Sequence, residues 1–162
     1  SKGAHVKGTM FPNAAEWGAV SSIKFLIELN CPPDVNTLDN HGYSALWYAV
    51  RDQCNDDGPN NGLVDALLDA GADPNTSSPL NVACEKGNVG MMMILIAAGA
   101  DFNQISPKGE TPLFTAAFSG QPDAVSSLIV QGADTSKRSW HNKTPLEGAR
   151  IRGNVICIQI LT

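Results

Sequence analysis

The chain has 162 residues, of which 43% are apolar, 17% charged and 6% aromatic, and its 11 basic and 16 acidic side chains give a net charge of -5. These proportions suit one packed domain or a short repeat array built from small and aliphatic side chains, and they exclude the low-hydrophobicity, high-charge regime of disorder. An acidic balance argues against non-specific nucleic-acid binding, the apolar run at 91–98 is far short of the roughly 20 residues that span a bilayer, and no basic start leads into an apolar stretch, so no signal peptide is expected.

Taken in chain order, the predicted elements repeat. A first unit begins at Thr9-Met10-Phe11 and carries helices in about 9–30, closing on a degraded stop at Asn30 before Pro32-Pro33. A second starts at Ser44-Ala45-Leu46 and closes at Leu67-Leu68-Asp69-Ala70-Gly71-Ala72-Asp73. A third runs from Ser78-Pro79-Leu80 to Leu95-Ile96-Ala97-Ala98-Gly99-Ala100-Asp101, and a fourth from Thr111-Pro112-Leu113 to Leu128-Ile129-Val130-Gln131-Gly132-Ala133-Asp134. A fifth opens at Thr144-Pro145-Leu146 and stops within its second helix at Leu161-Thr162. Successive starts lie 35, 34, 33 and 33 residues apart. Gly71 follows Ser44 by 27 residues, whereas Gly99 and Gly132 follow their starts by 21, so six extra residues sit within 53–61.

Each phrase has a physical task. A Ser or Thr before Pro starts a helix, because the hydroxyl caps a free N–H and Pro suits the first turn. A Gly just past an apolar helix ends it cheaply in the left-handed conformation. Between these signals lie two short helices. The first carries small residues such as Ala83-Cys84 and Ala116-Ala117; the second carries an apolar face such as Val125, Leu128 and Ile129. Neither helix buries its face alone, so the units are expected to stack.

The segment Gly109-Glu110-Thr111-Pro112-Leu113-Phe114-Thr115-Ala116-Ala117, with Gly132-Ala133-Asp134 downstream, resembles the ankyrin repeat, whose period is about 33 residues and whose signature is T-P-L-H-x-A. The resemblance covers about residues 9–162. It implies an all-α solenoid of stacked helix–turn–helix units joined by β-hairpin-like fingers, with a concave face. The expected units are about 9–37, 38–75, 76–104, 105–136 and 137–162, forming one array within a larger protein. Asn75 precedes Ser78 by three residues, whereas Asn36 and Asn103 precede Ser44 and Thr111 by eight, so one finger is expected to be missing.

Catalytic patterns are absent from the sequence: no G-x-S-x-G elbow, no phosphate-binding G-x-x-x-x-G-K-[ST] and no H-E-x-x-H. The expectation is a chain that is not an enzyme, with no metal and no cofactor. The stretch Gln53-Cys54-Asn55-Asp56-Asp57-Gly58 lacks the leading Asp and closing Glu of a calcium loop, so a solvated acidic insertion is expected. The cysteines, Cys31, Cys54, Cys84 and Cys157, match no zinc spacing and read as reduced structural thiols.

Charge is uneven along the chain. Residues 34–73 hold eight acids against Arg51, and residues 137–152 hold five bases against Glu147. The resemblance implies that partners touch finger tips and first-helix ends. The candidate contacts carried over are Trp17, His41, Tyr43, Arg51, Asp52, Glu85, Lys86, Lys108, Phe118, Trp140, His141 and Arg152, with Asp56 and Asp57 added from the acidic insertion. The expected function is a protein-interaction scaffold that binds a protein or peptide segment with basic residues, and neither nucleic acid nor membrane interior. The alternative is a structural or regulatory segment of a larger protein with no ligand of its own. The apolar residues Val155, Ile156, Ile158, Ile160 and Leu161 suggest cover by further chain or by self-association. The family also contains substrates of an asparagine hydroxylase, which implies candidate sites at Asn75 and Asn103, each eight residues after a Leu. The expected location is cytoplasmic, with the nucleus or a host-cell cytosol as further options.

Overall fold

The computed structural model describes Pro12 and residues 34–53, 62–139 and 141–162. The helices expected in 9–30 therefore lie outside the described residues, apart from Pro12. Within the described residues the chain is all α, with eight helices in four consecutive pairs: α1 (Ala45–Gln53) and α2 (Gly62–Asp69), α3 (Pro79–Lys86) and α4 (Val89–Ala97), α5 (Pro112–Ser119) and α6 (Pro122–Val130), α7 (Pro145–Arg152) and α8 (Val155–Leu161). The chain divides into two compact units, residues 1–79 and 80–162.

The helices start where the hydroxyl residues stand. Ser44 Oγ accepts the Trp47 N–H at 3.2 Å, and Thr111 Oγ1 accepts the Phe114 N–H at 3.1 Å. At Thr144 the cap is reciprocal: its hydroxyl accepts the Glu147 N–H at 3.3 Å while the Glu147 carboxylate takes the Thr144 N–H at 2.8 Å. Each such cap stabilises its helix by about 1 kcal/mol. The second helices of the first three pairs end at Gly71, Gly99 and Gly132, all with positive φ.

Packing follows the division of labour read from the sequence. The second helices bury Leu63, Val64 and Leu67 on α2, Met91, Met92 and Leu95 on α4, and Ala124, Val125 and Leu128 on α6. Burial of one such aliphatic side chain is worth about 1.5–3 kcal/mol. The first helices bury small residues, including Ala49, Ala83, Cys84, Ala116, Ala117 and Ala149, which lets neighbouring helices approach. In the second unit α5 packs on α6 and α7, while α6 packs on α4 and α8, so successive pairs stack first helix on first and second on second. Cys84 and Cys157 are buried thiols of this core, and burial pushes the Cys157 thiol above its ordinary pKa. Cys31 and Cys54 lie outside the described residues.

Three hairpin-like fingers close in the same way. The N–H groups of Asp39, Ser106 and Ser139 donate to the carbonyls of Tyr43, Glu110 and Lys143 at 3.0, 2.9 and 2.9 Å. The turn needs a left-handed residue at its fourth place, which Gly42, Gly109 and Asn142 supply. The link at 73–79 holds no such finger. It makes two tight turns, with Thr76 N–H to Asp73 carbonyl at 3.2 Å and Ser78 N–H to Asn75 carbonyl at 3.3 Å. Ser77 takes up a bridging task there. Its hydroxyl donates to the Gly42 carbonyl at 2.9 Å and accepts the Ser44 N–H at 3.1 Å.

Candidate functional site

In the first unit, the finger and the adjoining first helix gather Tyr43, Trp47, Tyr48 and Arg51. The α1 start at Ser44 places Trp47, Tyr48 and Arg51 at helical spacing, so that 47 and 48 both reach 51 across one turn. Tyr43 stacks on Trp47 with ring centroids 3.9 Å apart, and Tyr48 meets Trp47 edge-on at 5.2 Å. The Arg51 guanidinium lies 4.7 Å from the Tyr48 ring centre and 5.2 Å from that of Trp47. Such cation–π contacts are worth roughly 0.5–2 kcal/mol each. Arg51 also pairs with Asp52 at 2.8 Å. Tyr43, Trp47, Arg51 and Asp52 are all half-buried, so each is anchored and still meets solvent. Trp47, which stands where the ankyrin signature has His, therefore joins this surface as well as packing within it.

Asp39 serves the finger. Its carboxylate accepts the N–H groups of His41 and Tyr43 at 2.8 and 2.9 Å and the Tyr48 hydroxyl at 2.5 Å. Burial raises its pKa, but these bonds and the nearby His41 charge outweigh that and hold the carboxyl below the usual range. The acids of the Gly-Ala-Asp phrase have a similar role. Asp73, Asp101 and Asp134 accept the backbone N–H two residues on, at 2.9, 2.8 and 2.8 Å, and Asp34 does the same for Asn36. These residues are turn-formers first. Of the acids counted between 34 and 73, Asp34, Asp39 and Asp73 hold turns and Asp52 pairs with Arg51. Asp65 and Asp69 are exposed on α2, and Asp56 and Asp57 lie outside the described residues.

In the second unit the candidate contacts are dispersed. Glu85 and Lys86 are exposed at the end of α3, Lys108 at one finger tip and His141 at another. Phe118 is half-buried: its ring stacks on Phe114 at 5.7 Å, and the Arg152 guanidinium lies 5.0 Å from its centre. Phe114, also at the His place of the signature, is buried against Gly148, where a Cβ would come within 2.9 Å of the ring. His41 is exposed at its finger tip, next to Tyr43 in the first unit. Trp17 and Trp140 lie outside the described residues.

Asn75 and Asn103 occupy turn positions. The Asn103 side-chain oxygen accepts the Asp134 N–H at 2.9 Å, and its carbonyl accepts the Lys137 ammonium at 2.7 Å. Asn36 does the equivalent work in the first unit, donating to the Gly71 carbonyl at 3.1 Å and accepting the Asp73 N–H at 2.6 Å. Sequence reasoning missed this tie between successive repeats; its trace in the sequence is the Asn two residues past the Asp at 34 and 101. Among the described residues no group of His, Cys, Asp or Glu could hold a metal ion, and no helix is long and apolar enough to cross a membrane.

A family model of ankyrin repeats in three copies matches residues 53–139 and 80–162. The chain belongs to the ankyrin-repeat family. It is similar to the interferon antagonist OPG040 of vaccinia virus (strain Western Reserve), with 37% identity over 84 residues, which is 50% of this chain and 28% of that protein. It is also similar to the putative ankyrin repeat protein FPV115 of fowlpox virus (strain NVSL), with 39% identity over 119 residues, 68% of this chain and 20% of that protein. The chain thus spans less than a third of either relative. Ankyrin repeats as a family are protein-interaction modules, and the paired helices and fingers described above are their fold.

Proposed function

We propose that this ankyrin array is a non-enzymatic scaffold that receives a partner segment on its fingers and first-helix ends, the concave side of an ankyrin array. The observation that carries the proposal is the cluster of half-buried Tyr43, Trp47 and Arg51 packed on buried Tyr48, beside Asp52. Aromatic and Arg side chains anchored in this way are the usual hot spots of interfaces. The proposed partner is a protein segment with basic residues, drawn by the net negative charge of residues 34–73, whose Asp65 and Asp69 are exposed on α2. The acids of the insertion, Asp56 and Asp57, belong to the same proposal through the charge of residues 34–73.

In this proposal the partner is a host protein and the array works in the host-cell cytosol. The support is its likeness to two poxvirus proteins, one named an interferon antagonist. Hydroxylation of Asn75 or Asn103 is a separate proposal supported by their spacing from Leu67 and Leu95; intact mass after incubation with an asparagine hydroxylase tests it.

Affinity capture tests the scaffold reading. The native chain is set beside a variant with Trp17, Tyr43, Phe118 and Trp140 changed to Ala, and beside one with Asp52, Asp56 and Asp57 changed to Lys. A partner retained by the native chain and lost from both variants supports the proposal. Retention by the charge-reversed variant, with unchanged salt dependence, removes the basic segment; turnover of any substrate by the chain removes the scaffold.

A further inference from the structure

Two arginines of the chain lie over aromatic rings near the ends of first helices, and they differ in how their charge is met. Arg51 rests on Trp47 and Tyr48, and its Nε donates to the Asp52 carboxylate at 2.8 Å. Arg152 closes α7 and lies 5.0 Å from the centre of the Phe118 ring, which itself stacks on Phe114 at 5.7 Å. That ring belongs to the repeat before, so the Arg152 side chain leans back over α5. Arg152 is exposed, and among the described residues its guanidinium makes no hydrogen bond and no ion pair. Where Arg51 is followed by Asp52, Arg152 is followed by Gly153, and a Cβ there would meet nothing within 4 Å.

A guanidinium held by its face against a ring keeps its N–H donors at the edge, in a plane that matches a carboxylate bidentately. The ring also orders the long side chain in advance, which offsets the entropy cost that makes most surface ion pairs weak. The surroundings carry the same sign. Lys86 ends α3 at the place where Arg152 ends α7, and Lys108 and Lys143 are exposed on fingers of this unit. The acids of this side do not answer Arg152. Glu147 is held by the Thr144 N–H at 2.8 Å and by Arg138 at 3.3 Å. Glu110 is half-buried with its carboxylate 3.5 Å from the Thr115 hydroxyl, and Glu85 stands two repeats earlier beside Lys86.

We propose that Arg152 on its Phe118 platform is a carboxylate-selecting subsite, which takes an Asp or Glu side chain of the partner segment. The inference rests on the scaffold reading and adds the chemistry of one contact. Basic residues of the partner answer residues 34–73, and an acidic residue answers Arg152.

The probe is a labelled Gly/Ser peptide with Glu at every third place, compared with the same peptide carrying Gln, titrated into the full chain and read by fluorescence anisotropy. The Glu peptide is expected to bind about tenfold more tightly than the Gln peptide, and Arg152→Gln to remove most of that preference. Arg152→Lys keeps the charge but loses the planar fork, so it should recover only part of it. Equal binding of the two peptides by the native chain overturns the proposal. So does a preference that survives intact in Arg152→Gln, or that is whole in Arg152→Lys. Affinity capture reads the scaffold separately. A partner lost from the Asp52, Asp56 and Asp57 variant but held equally by the native chain and Arg152→Gln overturns this inference alone. Turnover of a substrate by a chain that still prefers the Glu peptide overturns the scaffold reading and leaves the subsite.

Discussion

The Asn154 side-chain amide donates to the Ala117 carbonyl at 2.8 Å and to the Phe118 carbonyl at 3.0 Å, caps from one repeat on the last carbonyls of a helix in the repeat before it. The Ala117 carbonyl also accepts the Gly120 N–H at 3.3 Å, so the amide supplies it with a second donor at the helix end. Gln121 repeats the arrangement one unit earlier, donating to the Glu85 carbonyl at 3.1 Å in a more exposed place. Gly120 leaves the room: a Cβ there would come within 2.9 Å of the Asn154 amide. Asn154→Ala is expected to cost about 1–3 kcal/mol, since it strips partners from part-buried carbonyls, and Gln121→Ala about 0.5–1.5 kcal/mol. Urea unfolding midpoints, with the slope unchanged, measure the difference. Equal costs would mean that exposure does not grade these caps.

Phe114 and Gly148 fit by size. A methyl group on Gly148 meets the Phe114 ring at 2.9 Å inside a packed interface of α5 and α7. Gly148→Ala is therefore expected to destabilise by about 1–3 kcal/mol through overpacking, even though Ala is the better helix former. Phe114→Leu in the same chain should restore part of the loss. A double-mutant cycle on thermal melts gives the coupling; additive effects would show that the two residues do not share the strain.

Much of this fold was legible because its signals are local. Ser44, Thr111 and Thr144 announce helix starts through a bond three residues away, and Gly71, Gly99 and Gly132 announce ends through their own φ. The short link before Ser78 could be counted directly. The ties between repeats were not legible in the same way. Asn103, Gln121 and Asn154 act on residues more than thirty positions away, and an amide in a sequence does not say which carbonyl it serves. The acidic stretch was legible as charge but not as structure: Asp34, Asp39 and Asp73 keep their charge while their carboxylates hold turns.

Those turn carboxylates make stability sensitive to acid. Backbone N–H donation from Asn75 is the leading cause that lowers Asp73, Ser136 lowers Asp134, and the Thr144 N–H lowers Glu147. A carboxyl with a depressed folded pKa stabilises above its unfolded value and loses that contribution as pH falls through the folded one. The array is therefore expected to hold its stability down to about pH 4 and to lose it progressively below. Asp73→Asn with Asp134→Asn should flatten that slope. Denaturation midpoints measured across acidic pH check it; an unchanged slope in the double variant would remove these turns as its source.

Ser77 sets two effects against each other. Its φ is 65°, a conformation that disfavours a side chain, yet its hydroxyl joins the Gly42 carbonyl to the Ser44 N–H across the missing finger. Ser77→Ala keeps the left-handed backbone and loses both bonds, at about 1 kcal/mol each. Ser77→Gly loses the same bonds but relieves about 1 kcal/mol of backbone cost. The expected order of stability is Ser77, then Gly, then Ala, read from urea midpoints of the three chains. If Gly exceeds the native residue, the backbone cost outweighs the bridge. If Ala equals Ser, the hydroxyl bridge contributes nothing and the tight turns alone close the link between α2 and α3.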